Sequence, residues 1–208
     1  MGIDVPWSLC YFKDTGTYMQ QKLKEIANLI LGFTFRGAII PDQNGDYFVF
    51  QAKNIVGDKA NVDLQNLVKI SFKGLRGAHF LQNGDIVITL RGANVGSFRA
   101  AVIQSDVKNV IASSSVMIIR LTDQKVLPEY MAAYFNSMDG QKNILKSVTG
   151  SYIQTISGQK LGEAIIPLSS FEDQLLIIKL ADNLKRQQEI FERKNKIKKN
   201  IINAIFER

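Results

Sequence analysis

The apolar residues near the end of the 208-residue chain follow one continuous helical period. Residues 170–208 contain neither proline nor glycine, and their apolar side chains recur at steps of three or four, or at sums of these steps. This pattern predicts a single helix, roughly 55 Å long at about 1.5 Å per residue, with one apolar stripe. The preceding domain is too small to cover such a helix, so we expect the stripe to bind a partner helix. The residues predicted to mediate this dimerisation are Ile177, Leu180, Leu184, Phe191, Ile197, Ile201 and Ile205.

Between residues 33 and 121 the pattern is instead typical of strands. The segments richest in β-branched and aromatic residues predict strands at Tyr47–Ala52, Ile86–Leu90, Ala100–Gln104 and Val116–Arg120. On either side of this region the period is helical. One short amphipathic helix is predicted over Leu23, Ile26, Ala27 and Ile30, closed by Gly32. A second begins at Pro128, is weakened at Gly140 and can resume through Leu145.

These elements predict an α+β fold, in which a β-rich domain with peripheral helices is followed by a long C-terminal coiled-coil helix. We expect an N-terminal extension over residues 1–20 and the β-rich domain over residues 21–168. A spacer or dimerisation helix is expected over residues 169–208, with Ser169 or Ser170 as its N-cap.

Charge and composition narrow the classes of function. The formal net charge of +7 and the isoelectric point near 9.4 favour a polyanionic partner. No run of eighteen apolar residues predicts a membrane span, and no basic segment followed by an apolar core predicts a signal peptide. Cys10 is the only cysteine, which fits a reducing compartment, so we expect a cytoplasmic protein.

The residues that common catalytic sites require are missing. His79 is the only histidine, so the usual zinc sites and the Ser-His-Asp and Cys-His systems lack the necessary groups. There is no phosphate-binding P-loop and no dinucleotide fingerprint. Asp85 is the best single carboxylate for a metal-dependent nuclease, but it lacks a nearby Glu-x-Lys partner. The sequence therefore predicts no catalytic residue and no metal site.

The polar loops of the β-rich region are better suited to binding DNA. The segment 91–99 places two guanidinium groups, an amide and a hydroxyl between two predicted strands. Arginine can bond guanine or phosphate, and asparagine can pair with the edge of adenine. We rank Arg91, Asn94 and Arg99 first among the candidates. The full set is Arg36, Lys53, Asn54, Lys73, Arg76, Arg91, Asn94, Ser97, Arg99, Ser151, Tyr152 and Gln154.

The order of these segments resembles the DNA-specificity (S) subunit of type I restriction-modification systems, over about residues 21–205. The stretches that carry the resemblance are Lys22–Ala27 leading into Gly32–Gly37, Leu81–Ile88, Gly92–Gly96, Leu127–Met131, and Ile165–Leu168 followed by Glu172–Gln174. Each stretch alone is unspecific, whereas their order is specific. The family often has Glu-Gln where this chain has Asp173-Gln174.

The resemblance implies a non-catalytic subunit that reads double-stranded DNA, with residues 21–168 as its DNA target-recognition domain. Such subunits usually carry two recognition domains and two long helices, so this chain looks like a half-size S subunit or a fragment of a full one. In the family the helices pack antiparallel, and two methyltransferase (M) subunits grip them. We therefore expect a homodimer through the C-terminal helix, with M subunits and a restriction motor-nuclease (R) subunit as partners. No cofactor is expected in this chain, because S-adenosylmethionine would be bound by the M subunit.

Three other functions remain open at this stage. The chain could be a freestanding sequence-specific DNA-binding regulator, which an adjacent methyltransferase gene or co-purification would distinguish. It could be a nuclease with an unrecognised acidic metal site at Asp85. It could also be a protein-assembly module whose basic charge aids only solubility, and salt-dependent binding to mixed DNA would separate this reading from the other two.

Overall fold

A computed structural model of the chain describes residues 19–56, 61–72, 79–92, 96–150 and 154–206. Within these ranges the strands are β1 (Met19–Lys22), β2 (Ala27–Leu31), β3 (Tyr47–Phe50), β4 (Ile55–Val56), β5 (Asn61–Val62), β6 (Val68–Ile70), β7 (Ile86–Thr89), β8 (Arg91–Gly92), β9 (Ala100–Val102), β10 (Val110–Ala112), β11 (Val116–Leu121), β12 (Val148–Thr149), β13 (Gln154–Ile156) and β14 (Ile165–Leu168). The helices are α1 (Leu23–Ile26), α2 (Pro128–Asn136), α3 (Met138–Lys146), α4 (Gly158–Gly162) and α5 (Phe171–Phe206), and a 3-10 turn covers Ala52–Asn54. The predicted α+β fold with a long C-terminal helix is confirmed.

An antiparallel sheet of order β2-β11-β7-β9 lies at the centre of the domain. Successive side chains of a strand point to opposite faces. Ile86 and Ile88 of β7 therefore join one apolar cluster, while Val87 joins a second. Both faces of this sheet are covered, so the domain is built in layers.

Helices cover the first face and another sheet covers the second. Met131, Phe135 and Ile144, from α2 and α3, belong to the first cluster. Phe50 belongs to the second cluster, and comes from a sheet of order β10-β3-β6 in which β10 runs parallel to β3. The layer order is helices, four-stranded sheet and three-stranded sheet.

The four predicted strands are confirmed as β3, β7, β9 and β11. Each begins at the predicted residue, and its end shifts by one or two residues. The prediction of a helix from Leu23 to Ile30 is confirmed for its first turn and is wrong for the residues after Ile26. α1 ends at Ile26, and Ala27–Leu31 forms β2, which pairs with β11 over five residues. The apolar spacing of this segment fits both structures, and pairing within the sheet decides between them.

The second predicted helix is interrupted at Ser137, three residues before Gly140. α2 ends at Asn136 and α3 begins at Met138, with Ser137 as its N-cap through a 3.1 Å bond from Gly140 N to Ser137 Oγ. A Cβ on Gly140 would lie 1.9 Å from the carbonyl oxygen of Tyr134. Glycine is therefore required where the two helices meet.

The first and last strands of the domain are neighbours. β1 pairs antiparallel with β14, so that Met19 lies opposite Leu168 and Lys22 opposite Ile165. α5 starts three residues after β14. Ser170 is its N-cap, as predicted, because Ser170 Oγ accepts a 3.2 Å bond from Asp173 N. The buried Gln174 side chain then fixes the first turn of α5 to the segment before α2 by bonding Leu127 N and Lys125 O at 2.9 and 3.0 Å.

Candidate nucleic-acid interface

The turn Ser113–Ser115, between β10 and β11, joins three of the predicted binding segments. Phe33 donates its N–H to Ala112 O at 2.7 Å and accepts a 2.8 Å bond from Ser114 N. The hydroxyl of Ser115 accepts a 2.9 Å bond from Ala52 N, and its carbonyl accepts a 3.0 Å bond from Leu90 N. We call this turn the serine turn. It holds together the roots of the segments that carry Arg36, Lys53 and Arg91.

Close approach at the serine turn depends on Gly32. Gly32 N donates to Val116 O at 3.1 Å, and a Cβ at this position would lie 1.9 Å from Ser113 O. Any side chain here would push the Phe33 segment away from the turn. The absence of a side chain at Gly32 thus brings the Arg36 loop to the other two segments.

The three basic side chains at this place are solvent-exposed. Arg36, Lys53 and Arg91 are all exposed, and each follows a residue or strand fixed by the serine turn. Arginine and lysine on a common edge create a positive field that attracts phosphate. This edge of the domain is therefore chemically suited to the DNA backbone, with guanidinium groups available for base edges.

Gln154 lies next to this group through strand pairing. β13 pairs antiparallel with β8, so that Gln154 lies opposite Gly92 and Thr155 opposite Arg91. Gln154 Oε1 is buried and has no hydrogen-bond partner among the described residues. Because this oxygen is buried, it is not open to a bound partner in this structure.

The prediction for Asn54 needs correction. This residue is buried, with only 2% of its surface exposed. Its Oδ1 accepts a 2.9 Å bond from Gln51 N, and its Nδ2 donates to Asn66 O at 3.3 Å. These bonds close the 3-10 turn on which the neighbouring Lys53 stands. Asn54 therefore shapes the loop, and its buried side chain is not accessible to DNA in this structure.

Ser97 and Arg99 are only partly exposed and flank the buried Phe98. The Thr89 hydroxyl donates to Ser97 O at 3.2 Å and accepts from Arg99 N at 2.9 Å. The backbone at both residues is therefore fixed to β7. The remaining candidates, Lys73, Arg76, Asn94, Ser151 and Tyr152, lie outside the described residues.

The serine turn itself was not predicted as a functional element. Three consecutive serines between two apolar strands indicate a turn, but nothing in that pattern identifies which distant segments it will bond. Ala52 and Ser115 are 63 positions apart, and their contact follows from the parallel pairing of β3 with β10.

Asp85 is not an open metal ligand. Its side chain is 1% exposed and forms a bidentate ion pair with Arg120, with both N···O distances at 2.7 Å. Gln82 N adds a 2.8 Å bond to the same carboxylate. The hydrogen bonds that Arg120 donates to Asp85 raise the pKa of its guanidinium group above the ordinary value. Because Asp85 is buried and paired with Arg120, it offers no support for the nuclease alternative. Within the described ranges no group of three or more potential metal-binding side chains occurs.

His79 has a packing role beside the interface. Its ring lies edge-on to Phe33, with ring centres 5.5 Å apart, and Phe33 also contacts Phe35 and Phe72. His79 Nδ1 lies 3.1 Å from Leu31 O and must donate there, since a carbonyl oxygen only accepts. Phe33, Phe35 and Phe72 line a pocket of about 490 Å³ with Arg36 on its wall.

α5 presents an apolar face to solvent along most of its length. Leu180, Leu184 and Phe191 are 54%, 62% and 64% exposed, and the other exposed members of the predicted stripe are Ile197, Ile201 and Ile205. Ile177 differs from these residues because it is partly buried and packs against the first apolar cluster of its own domain. The part of the stripe that is open to a partner thus begins at Leu180. None of the helices within the described ranges combines the length and apolar character that a membrane crossing requires.

The family model for the type I restriction modification DNA specificity domain matches residues 16–201 of the chain. The chain belongs to this family. The expected resemblance is therefore confirmed, and the family provides DNA specificity without being catalytic. No curated protein matches the chain.

Solved structures of type I S subunits share this fold. The S subunit from M. genitalium is 15% identical, with a TM-score of 0.53 over 88% of this chain and 42% of that one. HsdS from Thermoanaerobacter tengcongensis is 18% identical, with a TM-score of 0.58 over 93% of this chain and 41% of that one. A chain from a structure of type I R-M complex assembly and conformational transition is 17% identical, with a TM-score of 0.60 over 85% and 40%. The present chain spans about two fifths of each of these chains.

Proposed function

We propose that this chain is the sequence-reading component that directs a type I restriction-modification complex to its DNA target. The observation that carries the proposal is the match of the DNA-specificity family over residues 16–201. The convergence of exposed Arg36, Lys53 and Arg91 at the serine turn supports it independently. Double-stranded DNA is the ligand, M subunits carrying S-adenosylmethionine perform the methylation, and R subunits join for restriction.

Purification with candidate M subunits tests this function. The chain should co-purify with them, and single-molecule sequencing of genomic DNA should then reveal one methylated motif. Cells that express the M subunits alone are the control. Methylation of the same motif without this chain would refute the specificity role, whereas DNA binding by the chain alone without M association would favour the freestanding regulator.

We also propose that two copies assemble through antiparallel α5 helices. The exposed stripe from Leu180 to Ile205 supports this arrangement, because each large apolar side chain that becomes buried contributes about 1.5–3 kcal/mol. The polar positions Gln187 and Lys194 within the stripe favour one register over a uniform zipper. A homodimer of this kind has a two-fold axis, so its DNA site is an interrupted palindrome whose gap depends on helix length.

Ile197→Asp should convert the dimer into monomers, which light scattering measures. Asn200→Asp adds the same charge to the same helix and should leave the dimer intact. An intact chain that is monomeric at high concentration would contradict this assembly. Deleting two turns of α5 should change the gap of the methylated motif while each half-site is retained, and an asymmetric uninterrupted motif would exclude the homodimer.

A further inference from the structure

The segment that follows residues 93–95 of the candidate reading loop is held by side chains from the junction of α2 and α3. β9 begins at Ala100, and the preceding backbone from Gly96 runs along this junction. Within the described residues, the neighbours of this backbone on one side are side-chain amides and not another strand. This arrangement gives residues 96–100 a defined position relative to the helices.

Asn136, the last residue of α2, binds Ala100 as a neighbouring strand would. Its Nδ2 donates to Ala100 O at 2.7 Å, and its Oδ1 accepts from Ala100 N at 2.9 Å. One amide thus satisfies both backbone groups of the first residue of β9. The start of that strand is fixed in register with the end of α2.

Gln141, in the first turn of α3, makes the next set of bonds. Its Oε1 accepts a 2.8 Å bond from Gly96 N, and its Nε2 donates to Phe98 O at 2.5 Å and to Phe135 O at 2.6 Å. The side chain is 3% exposed, so these bonds do not compete with water. Gln141 therefore connects the end of the loop at Gly96 to the end of α2.

The opposite side of the same backbone is bound to β7. Thr89 N donates to Arg99 O at 3.0 Å, and the Thr89 hydroxyl bonds the backbone of Ser97 and Arg99. The backbone groups therefore alternate in their partners. Those of Gly96, Phe98 and Ala100 bond the helices, whereas those of Ser97 and Arg99 bond β7. This alternation is that of a strand whose missing neighbour is replaced by two amide side chains.

The junction between α2 and α3 places both side-chain amides beside the same segment. Ser137 ends α2 and caps α3, and Gly140 allows α3 to approach the Tyr134 carbonyl where a Cβ would lie 1.9 Å away. The tight turn places Asn136 and Gln141 on the same five-residue stretch of backbone.

From these contacts we infer that Gln141 and Asn136 are positioning residues for base recognition by the segment 96–100, which carries the candidates Ser97 and Arg99. The inference rests on the proposed function. Neither residue reads a base, and both act by holding this segment in one conformation before DNA binds. A loop that is already ordered loses less entropy on binding, and its contacts discriminate more strictly between bases. Loss of the hydrogen bonds from Gln141 or Asn136 should therefore reduce selectivity between bases more than total affinity for DNA.

A selection experiment tests the inference. The full chain with its M subunits is incubated with a pool of randomised duplex DNA, and bound duplexes are sequenced. Gln141→Met retains the length of the side chain but removes all three bonds. We expect the enrichment of the preferred base to fall roughly tenfold or more at the positions read by the loop. Binding of mixed genomic DNA at low salt, and its salt slope, should stay within about twofold of wild type.

Gln174→Met is the matched control. Gln174 is 2% exposed and also makes three bonds with its amide, to Leu127 N, Lys125 O and Ser169 O. The two variants should lose similar stability in thermal unfolding. Only Gln141→Met should alter base preference within a half-site, because Gln174 bonds the root of α5 and not the loop.

Asn136→Ala provides a second variant in case Gln141→Met does not fold. Asn136 is solvent-exposed, so its removal leaves no buried cavity, and it should weaken selectivity at the same positions. An unchanged motif in a folded Gln141→Met or Asn136→Ala protein would overturn the inference. An equal loss of selectivity in Gln174→Met would show a general effect of destabilisation and would also overturn it. If the wild-type complex selects no motif, the proposed function itself fails.

Discussion

Replacing Asp85 with asparagine should destabilise the domain strongly, because it removes the anion of a buried ion pair. The wild-type carboxylate is 1% exposed and bonds both Arg120 Nε and Nη2 at 2.7 Å. Asparagine has nearly the same shape and can still accept the bond from Gln82 N. The substitution therefore tests the charge and its bidentate geometry, with little change in packing.

The expected loss follows from the burial of the two partners. Removing one partner of a buried pair typically costs about 3–5 kcal/mol. The Arg120 side chain is 23% exposed and can still be partly hydrated, so we expect the lower end, about 3 kcal/mol. For a chain of this length, that loss lowers Tm by about 6–12 °C. Arg120 also donates to Phe80 O at 2.9 Å, so its movement should loosen the turn before β7.

Urea unfolding followed by circular dichroism measures this free energy. Arg120→Met and the double variant complete a thermodynamic cycle. The double variant should be more stable than the sum of the single losses predicts, because no uncompensated charge remains. Asp139→Asn is the surface control, since its ion pair with Lys142 is exposed and should contribute less than about 1 kcal/mol. A loss below about 1 kcal/mol in Asp85→Asn, or strictly additive losses in the cycle, would refute this account of the pair.

Three further outcomes are expected. Hydrogen bonds from Lys24 and then Lys22 lower the pKa of Glu163 from 4.5 to about 2. The stabilisation that the ionised Glu163 gives the folded state is therefore present above pH 4.5 and lost as the pH falls towards 2. The difference in unfolding free energy between wild type and Glu163→Gln should shrink between these pH values. A difference that stays constant would contradict this expectation. Gly32→Ala should displace the Phe33 segment from Ser113, where the new Cβ would lie 1.9 Å from the carbonyl oxygen, and lower both Tm and DNA affinity. If both Tm and DNA affinity are unchanged, the serine turn can accommodate a side chain at position 32, contrary to this expectation. If Arg91 reads a base, Arg91→Gln should relax selectivity at one base position at a cost of about 1–3 kcal/mol. If Arg91 contacts phosphate, the substitution should flatten the salt slope of binding by about one. Titration of cognate and mixed duplexes at several salt concentrations separates these results, and no change in either would exclude Arg91 from the interface.

The elements that the sequence predicted well are those with one uniform pattern. α5 keeps a helical apolar spacing over its whole length, and β7 and β11 consist mostly of consecutive apolar residues. The segment after Ile26 was predicted wrongly because its apolar residues fit two periods. Its pairing with β11, about 90 residues later, decides the structure, and such distant pairing leaves no local signal.

The candidate interface shows the same limit. Basic residues beside glycine or directly after a predicted strand were enough to predict Arg36, Lys53 and Arg91 as candidates. Their assembly at the serine turn was not predictable, because it depends on backbone bonds between segments that are far apart in sequence. Gln141 was missed because its importance comes from three partners and not from its residue type.

The pairing of β1 with β14 has a consequence for synthesis of the protein on the ribosome. Met19 and Leu168 are about 150 residues apart, so β1 must wait about 8–30 s for its partner at ordinary translation rates of about 5–20 residues per second. During this time β1 lacks the strand with which it pairs in the folded domain. α5 follows Leu168 in the chain, so its exposed apolar face leaves the ribosome only after the residues that complete the domain. The order of translation thus favours closure of each domain before the proposed association of two chains.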